Sequence, residues 1–405
     1  MKPANLILLA AIVALAGWRA DAQTYDTNND VVQIFAGSGA VGALNAQGTL
    51  ASFSSPQFVV ADTFSNLYVC DSGNGVVRKI TPNGTASTFV TVPGSGNGES
   101  GMAIDGNNTI WMIGFGQISQ NSFGYGINEI GSNGSITFLT YSGVNLNSGI
   151  CTDSGNNIYF TAGNQIYRIS SQGVLTLFAG STSSGSQDAN GIYSTFSTPK
   201  TLGADQAGNI YVWDSGNLKI RRIDQNQNVT TIAGNGSNTS VDGVGINTSF
   251  SSIYSMCGDN QGNIIMACGS SIRKMSATTN VVTMAGSFSQ SSYANGAGAL
   301  ARFSGASGVC LSQGMVFIAD ANNERVRQIS FNPQPQLVTP ANLALHTYAG
   351  LTINGLVGRT YQVQSSPDLS TWTTRATLLL TSSPYLWIDQ NPIAGNKFYQ
   401  AILLP

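Results

Sequence analysis

The sequence predicts an all-β chain: a six-bladed β-propeller closed by an N-terminal strand, followed by a small antiparallel β-sandwich. Three observations predict it. One phrase recurs six times: an apolar strand ending in an acid, a Gly- or Asn-bearing turn, a second strand, then an Arg-bearing third strand. The acids are Asp62, Asp105, Asp153, Asp205 and Asp259, with Ser312 in sixth place. The steps between them are 43, 48, 52, 54 and 53 residues, a period that fits one four-stranded blade. Finally, a phrase typical of the fourth strand, Val31 to Gly37, stands alone ahead of the first unit, while the sixth unit stops after its third strand at Ile329. Pairing the two would latch the ring and leave no bare strand edge.

Residues 1–22 read as a secretory leader: Lys2, an apolar stretch from Leu6 to Gly17, then the small-x-small site Ala20-Asp21-Ala22. The apolar stretch runs about a dozen residues, short of the ~20 that cross a bilayer. The mature chain is therefore expected to carry no membrane span and to work outside the cell, at its surface or in the periplasm. Composition points the same way. Charged residues make up 9% of the chain, against about 25% in an ordinary globular protein, and net charge is −2. No field exists to draw in nucleic acid or an anionic membrane.

Residues 30–331 hold the propeller units. The first strand of each is apolar, as in Phe58-Val59-Val60-Ala61-Asp62. The second is β-branched and aromatic, as in Leu67-Tyr68-Val69 and Ile210-Tyr211-Val212. Third strands read Val77-Arg78-Lys79-Ile80, Tyr167-Arg168-Ile169, Ile220-Arg221-Arg222-Ile223, Ile272-Arg273-Lys274-Met275 and Val326-Arg327-Gln328-Ile329. The repeated acids stand in near-identical contexts, which assigns them to turn capping and not to catalysis in any one unit. Asp71, Asp214 and Asp320 end the second strand where the following turn is long, which predicts an Asx turn or an exposed Asp–Arg pair that stiffens it. Of the five cysteines, Cys151, Cys257 and Cys310 align with Val60, Ala103 and Gly203 on the innermost strand. A place that takes Cys, Val, Ala or Gly is a cramped packing position, so unpaired buried thiols are expected.

The phrases Asp71-Ser72-Gly73-Asn74-Gly75-Val76-Val77-Arg78, Asp214-Ser215-Gly216-Asn217-Leu218-Lys219-Ile220-Arg221 and Asp320-Ala321-Asn322-Asn323-Glu324-Arg325-Val326-Arg327 resemble the NHL-repeat family of propellers. So do the long connections from Ala-Gly to a Phe, such as Gly234 to Phe250. The second unit departs most, with Asn128-Glu129-Ile130 where Arg is usual. The resemblance implies a propeller used mostly as a binding scaffold, with a few enzymatic branches.

Sites for chemistry are sparse. Gly37-x-Gly39-x-x-Gly42 and Gly96-x-Gly98-x-x-Gly101 lie between strands, without the helix that a dinucleotide fingerprint needs. The one histidine, His346, lies outside the propeller, and no G-x-S-x-G elbow occurs. One stretch breaks the rhythm: between Trp111 and Asn128 the interval is seventeen residues, and Phe115, Phe123 and Tyr125 stand among Gly, Ser, Gln and Asn. It reads as a long loop. With Trp213 on the same face, these aromatics either engage a partner or tuck beneath the loop to anchor it.

Pro333, Pro335 and Pro340 mark a linker over residues 332–341. Residues 342–405 alternate with period two, the pattern of a small β-sandwich. The phrase Tyr361-Gln362-Val363-Gln364-Ser365-Ser366-Pro367-Asp368 is similar to C-terminal modules of bacterial exported proteins. Trp372 and Trp387 serve either as its core or as a sugar platform.

The expectation is an exported, non-enzymatic, monomeric scaffold for a protein or an extracellular glycan, needing no cofactor. The alternative is a lactonase- or lyase-like propeller with a divalent cation, such as calcium, at the channel mouth.

Overall fold

A computed structural model describes residues 30–92, 101–119, 122–259, 261–331, 350–381, 383, 385–388 and 398–404. The leader, the Pro-rich linker and His346 lie outside them. The chain divides into two compact units, Met1–Pro333 and Gln334–Pro405.

The first unit is all-β. Its described strands form six antiparallel sheets of four or five strands. Sheet one contains Pro56–Ala61, Leu67–Asp71, Val76–Ile80 and Ala86–Thr91, paired in chain order. Sheets two, three and four begin with Gly101–Ile104, Leu146–Thr152 and Pro199–Ala204 and repeat that order. Sheet five begins with Ser255–Gly258 and sheet six with Ala306–Ser312. Each first strand packs on the first strand of the next sheet, and the sixth returns to the first. Between neighbouring sheets lies an apolar cluster, such as Cys151, Phe178, Phe196, Leu202 and Val212 between the third and fourth. Among the described residues helix is confined to single 3₁₀ turns, and none is long and apolar enough to cross a membrane.

Sheet six takes its fourth strand from the other end of the unit. Asp30–Ala36 runs antiparallel to Arg325–Phe331, with Val32 opposite Ile329 and Ile34 opposite Arg327. The alternation of this strand buries Val32 and Ala36, as register demands when one face meets a core. It is not the outermost strand, as its sequence suggested. The two-residue strand Gly296–Ala297 pairs outside it, because the connection into sheet six wraps back along the sheet edge. Gly243–Val244 does the same for sheet five, and bridges Asn190↔Asn228 and Gln47↔Thr85 do so for sheets four and one. These segments occupy edges that would otherwise invite another chain.

The repeated acids cap the turn between the first and second strands. Asp62 accepts from the backbone N–H of Phe64 and Asn66, the amide of Asn66 and the hydroxyl of Tyr68. Asp105, Asp153, Asp205 and Asp259 repeat the arrangement, with Trp111 Nε1, Tyr159 and Tyr211 in the aromatic place for the first three. Burial and the adjacent Asp62 carboxylate push the Tyr68 phenol up to about 12. The residue three after each acid has positive φ: Ser65, Asn108, Asn156, Gly208 and Gly262. Ser312 needs no such cap. It pairs directly with Met315 across Gln313 and Gly314, both at positive φ, the two-residue hairpin that matches strand twist.

In the second unit, Gly350–Ile353 pairs with Tyr385–Ile388, and Thr360–Ser366 lies between Thr373–Leu379 and Phe398–Leu403. Val363, Tyr361, Ile353 and Leu380 form its core, with Trp387 packed against it and 6.1 Å from the Tyr399 ring. Trp387 thus contributes to packing.

Candidate functional site

The turns between second and third strands meet the incoming connections on one face of the first unit. Asn74, Asn217 and Asn323 donate from their amides to the carbonyls of Gly42, Gly185 and Ser292 there. Beneath this face, each sheet has a slot on its third strand, and what fills the slot differs from sheet to sheet.

In sheets one, four, five and six the slot holds an arginine, each with its side chain fully buried. Arg78, Arg221, Arg273 and Arg327 lie over the rings of Phe53, Phe196, Phe250 and Phe303, at 5.0, 5.1, 4.5 and 5.1 Å. Each Nη1 donates to the carbonyl just before that Phe: Ser52, Thr195, Ser249 and Arg302. Three of them pair with the acid ending the second strand: Arg78 with Asp71, Arg221 with Asp214 and Arg327 with Asp320, at 2.9, 2.9 and 2.8 Å. Both partners are fully buried, where the sequence suggested exposed pairs. The incoming connection roofs them over, and that connection is remote in sequence. Each acid also accepts from a backbone N–H and from an Asn amide, so the desolvated carboxylate is well satisfied. Burial still pushes the carboxyls of Asp71, Asp214 and Asp320 upward against those bonds. Arg273 lacks such an acid, since Cys268 ends its strand region, and uses Asp242 at 2.9 Å instead.

Sheet three fills the slot differently. Register places Tyr167 opposite Phe160, the position of the arginine elsewhere, while Arg168 falls opposite Tyr159. Arg168 is therefore not the equivalent of Arg78, as its repeat phrase suggested. Tyr141, Phe160 and Tyr167 form a stack, with ring centroids 5.9 and 5.6 Å apart. In sheet two the slot residue is Asn128, opposite Met112.

Sheet two also carries the rhythm-breaking stretch. It is not a loop. Ile110–Ser119 and Ser122–Ile130 extend the second and third strands into a long hairpin, with Gly114 opposite Gly126 and Gly116 opposite Gly124. Phe115 pairs with Tyr125 across the strands, edge to face at 5.5 Å, and Tyr125 is 47% exposed. The backbone of Phe123 pairs with Gln117, and its side chain lies outside the described residues. Trp213 does not join this face: it is buried against Phe250 at 5.9 Å, in the cluster between sheets four and five. Its strand position points it at the neighbouring sheet.

A channel of about 220 Å³ runs between the first strands and is lined at the six equivalent positions Val60, Ala103, Cys151, Gly203, Cys257 and Cys310. The position is cramped: a Cβ on Gly203 would stand 3.0 Å from Met256. No cysteine is disulfide-bonded, and burial pushes the thiols of Cys151, Cys257 and Cys310 far up, which makes them inert. The polar lining comes from Ser148, Thr152, Thr201, Tyr254 and Ser255; the described lining contains no carboxylate and no imidazole.

Propeller-type proteins are the structural neighbours. The chain resembles an auxiliary nutrient binding protein from Bacteroides ovatus, with TM-score 0.60 and 17% identity over 75% of this chain and 77% of that one. A second auxiliary nutrient binding protein, from Bacteroides thetaiotaomicron, matches with TM-score 0.60 and 18% identity, over 74% and 76%. A protein of unknown function from Bacteroides thetaiotaomicron matches equally, with TM-score 0.60 and 18% identity over 74% and 76%. No family model matches the chain, and no curated protein does. These likenesses establish the fold. The NHL-type resemblance stands on its repeat phrases.

Proposed function

We propose that this chain is an exported, non-enzymatic binding protein: a six-bladed propeller latched by its N-terminal strand and carrying a small β-sandwich module. Its second blade presents Phe115 and Tyr125, with Phe123 near the hairpin tip, to an extracellular glycan or protein. The hairpin carries this reading. It is the one place where the described repeat lengthens, and an aromatic pair sits on it, the exposed Tyr125 braced edge to face by a half-buried Phe115. Two of the neighbours above are themselves nutrient binding proteins, which supports a binding role.

The enzymatic alternative places a cation at the channel mouth. A hard cation needs several carboxylate or carbonyl oxygens aimed at one point. The acids nearest the first strands instead spend their oxygens on their own turns, and the channel wall is neutral. The binding reading needs no cofactor and no nucleic acid, and it takes the chain as a monomer.

The test is a binding screen of the secreted chain against extracellular polysaccharides and surface proteins, with Tyr125→Ala and Phe115→Ala beside the parent. Loss of about tenfold or more in affinity at unchanged melting temperature supports the reading. Unaltered binding by both variants refutes it, as does calcium-dependent hydrolysis of lactones by the parent.

A further inference from the structure

We propose that Asn128 anchors a ligand site in the second sheet, and that the ligand is a neutral sugar. The inference rests on the binding reading and names the class of partner.

One slot on the third strand recurs in all six sheets. In four of them a buried arginine fills it, clamped by a phenyl ring and by backbone carbonyls of the incoming connection. In sheet three the Tyr141–Phe160–Tyr167 stack fills it. In sheet two the residue is Asn128, only 2% exposed, and its Nδ2 has no acceptor among the described residues. A buried amide that makes no hydrogen bond costs the fold free energy, and a ligand oxygen that accepted from it would offset that cost. The position taken by Asp71 in sheet one is Gly114 here, and a Cβ on Gly114 would meet only that same amide, at 3.0 Å. Carboxylate, guanidinium and phenyl are thus replaced by a glycine and one short amide.

The chemistry of the slot defines its occupant. An amide –NH₂ donates to a lone pair without adding charge, and its own carbonyl oxygen can accept in return. Among the described residues of the second sheet the acids are Asp105, which is spent on its turn, and Glu129, on the opposite face of the sheet from Asn128. Among these residues a charged group would find no counter-charge. A sugar hydroxyl both accepts and donates, and the exposed Tyr125 on the same hairpin offers a surface for its C–H face.

The test uses the full secreted chain and a panel of neutral oligosaccharides (gluco-, xylo-, manno- and galacto-hexaose), followed by calorimetric titration and thermal melting. Asn128→Leu and Asn128→Arg are compared with the parent and with Tyr125→Ala. The expected result is binding of at least one oligosaccharide by the parent and about tenfold or greater loss in both Asn128 variants, with a melting temperature equal to or above the parent's. A fall in melting temperature for both variants, including failure to fold, means that Asn128 is structural and overturns the proposal. So does unchanged affinity, or binding of peptides alone. If Tyr125→Ala loses affinity while the Asn128 variants keep it, the hairpin reading stands and this inference falls.

Discussion

Arg221 Nη1 stands 2.9 Å from Asp214 Oδ2, and neither side chain is exposed to solvent. The same guanidinium reaches Asp188 through Nε and Nη2, so one arginine joins a strand, a turn and a connection that lie about thirty residues apart. The energetic weight of the two acids is unequal. Asp214 is fully buried, whereas the Asp188 side chain is 44% exposed and partly shared with water.

Removing Asp214 leaves a buried cation without its closest partner. Asp214→Ala is expected to cost about 3–5 kcal/mol, whereas Asp188→Ala should cost no more than about 1–2 kcal/mol. Urea unfolding of both variants checks the order; equal losses would mean that the burial contrast carries no weight.

Arg78 and Arg327 are less well served than Arg221. Their Nε atoms have no acceptor among the described residues, because Asn45 and Asn295 stand where Asp188 and Asp242 stand in sheets four and five. Asn45→Asp is expected to supply the missing acceptor and to raise stability by about 1 kcal/mol. A melting temperature below the parent's would show that two acids around Arg78 repel more than they bind.

The seam between the last sheet and the first holds a carboxylate where a neutral group suffices. Glu324 Oε2 accepts from the backbone N–H of Ser55, the task that the amide oxygen of Asn164 performs for Thr198 between sheets three and four. Burial, and then the charge of Asp71, push the Glu324 carboxyl above its ordinary value of 4.5. A raised folded-state value means that the native chain holds this proton more tightly than the unfolded one. The group's stabilising contribution is therefore complete below the ordinary glutamate range and is lost as pH rises through the raised value. Glu324→Gln should melt higher than the parent at pH 7 and lose that advantage toward pH 4. A difference that does not vary with pH contradicts the assignment.

The turn caps yield a paired prediction. Gly208 and Ser65 occupy the same turn place, at φ +78° and +64°. Gly208→Ala should cost about 1 kcal/mol and Ser65→Gly should cost nothing or stabilise slightly, since a side chain is strained in the left-handed region. Chemical denaturation of the two variants checks the signs.

Much of this was legible in the chain. The acids mark every turn that needs a cap, and the lone strand ahead of Pro56 pairs with Arg325–Phe331. Local phrases carry such information because both the turn and its acid lie within six residues. What the phrases could not carry was anything set by the incoming connections. Asp71, Asp214 and Asp320 looked exposed because the roof above them comes from residues some thirty positions earlier. Trp213 looked like a surface aromatic because its burial is supplied by Phe250 of the next sheet. The hairpin of sheet two looked like a loop because glycines face glycines across it, and such strands lack the β-branched signature. Arg168 looked like Arg78 because one residue of register is invisible until the pairing with Tyr159 is seen.

The strand Asp30–Ala36 finds its partner almost three hundred residues downstream, at Arg325–Phe331. The beginning of the unit must therefore wait, unpaired, until its far end has been synthesised. Closing a loop of that length makes the last pairing a non-local step, and refolding of the unit is expected to be slow, with the ring incomplete until its two ends meet.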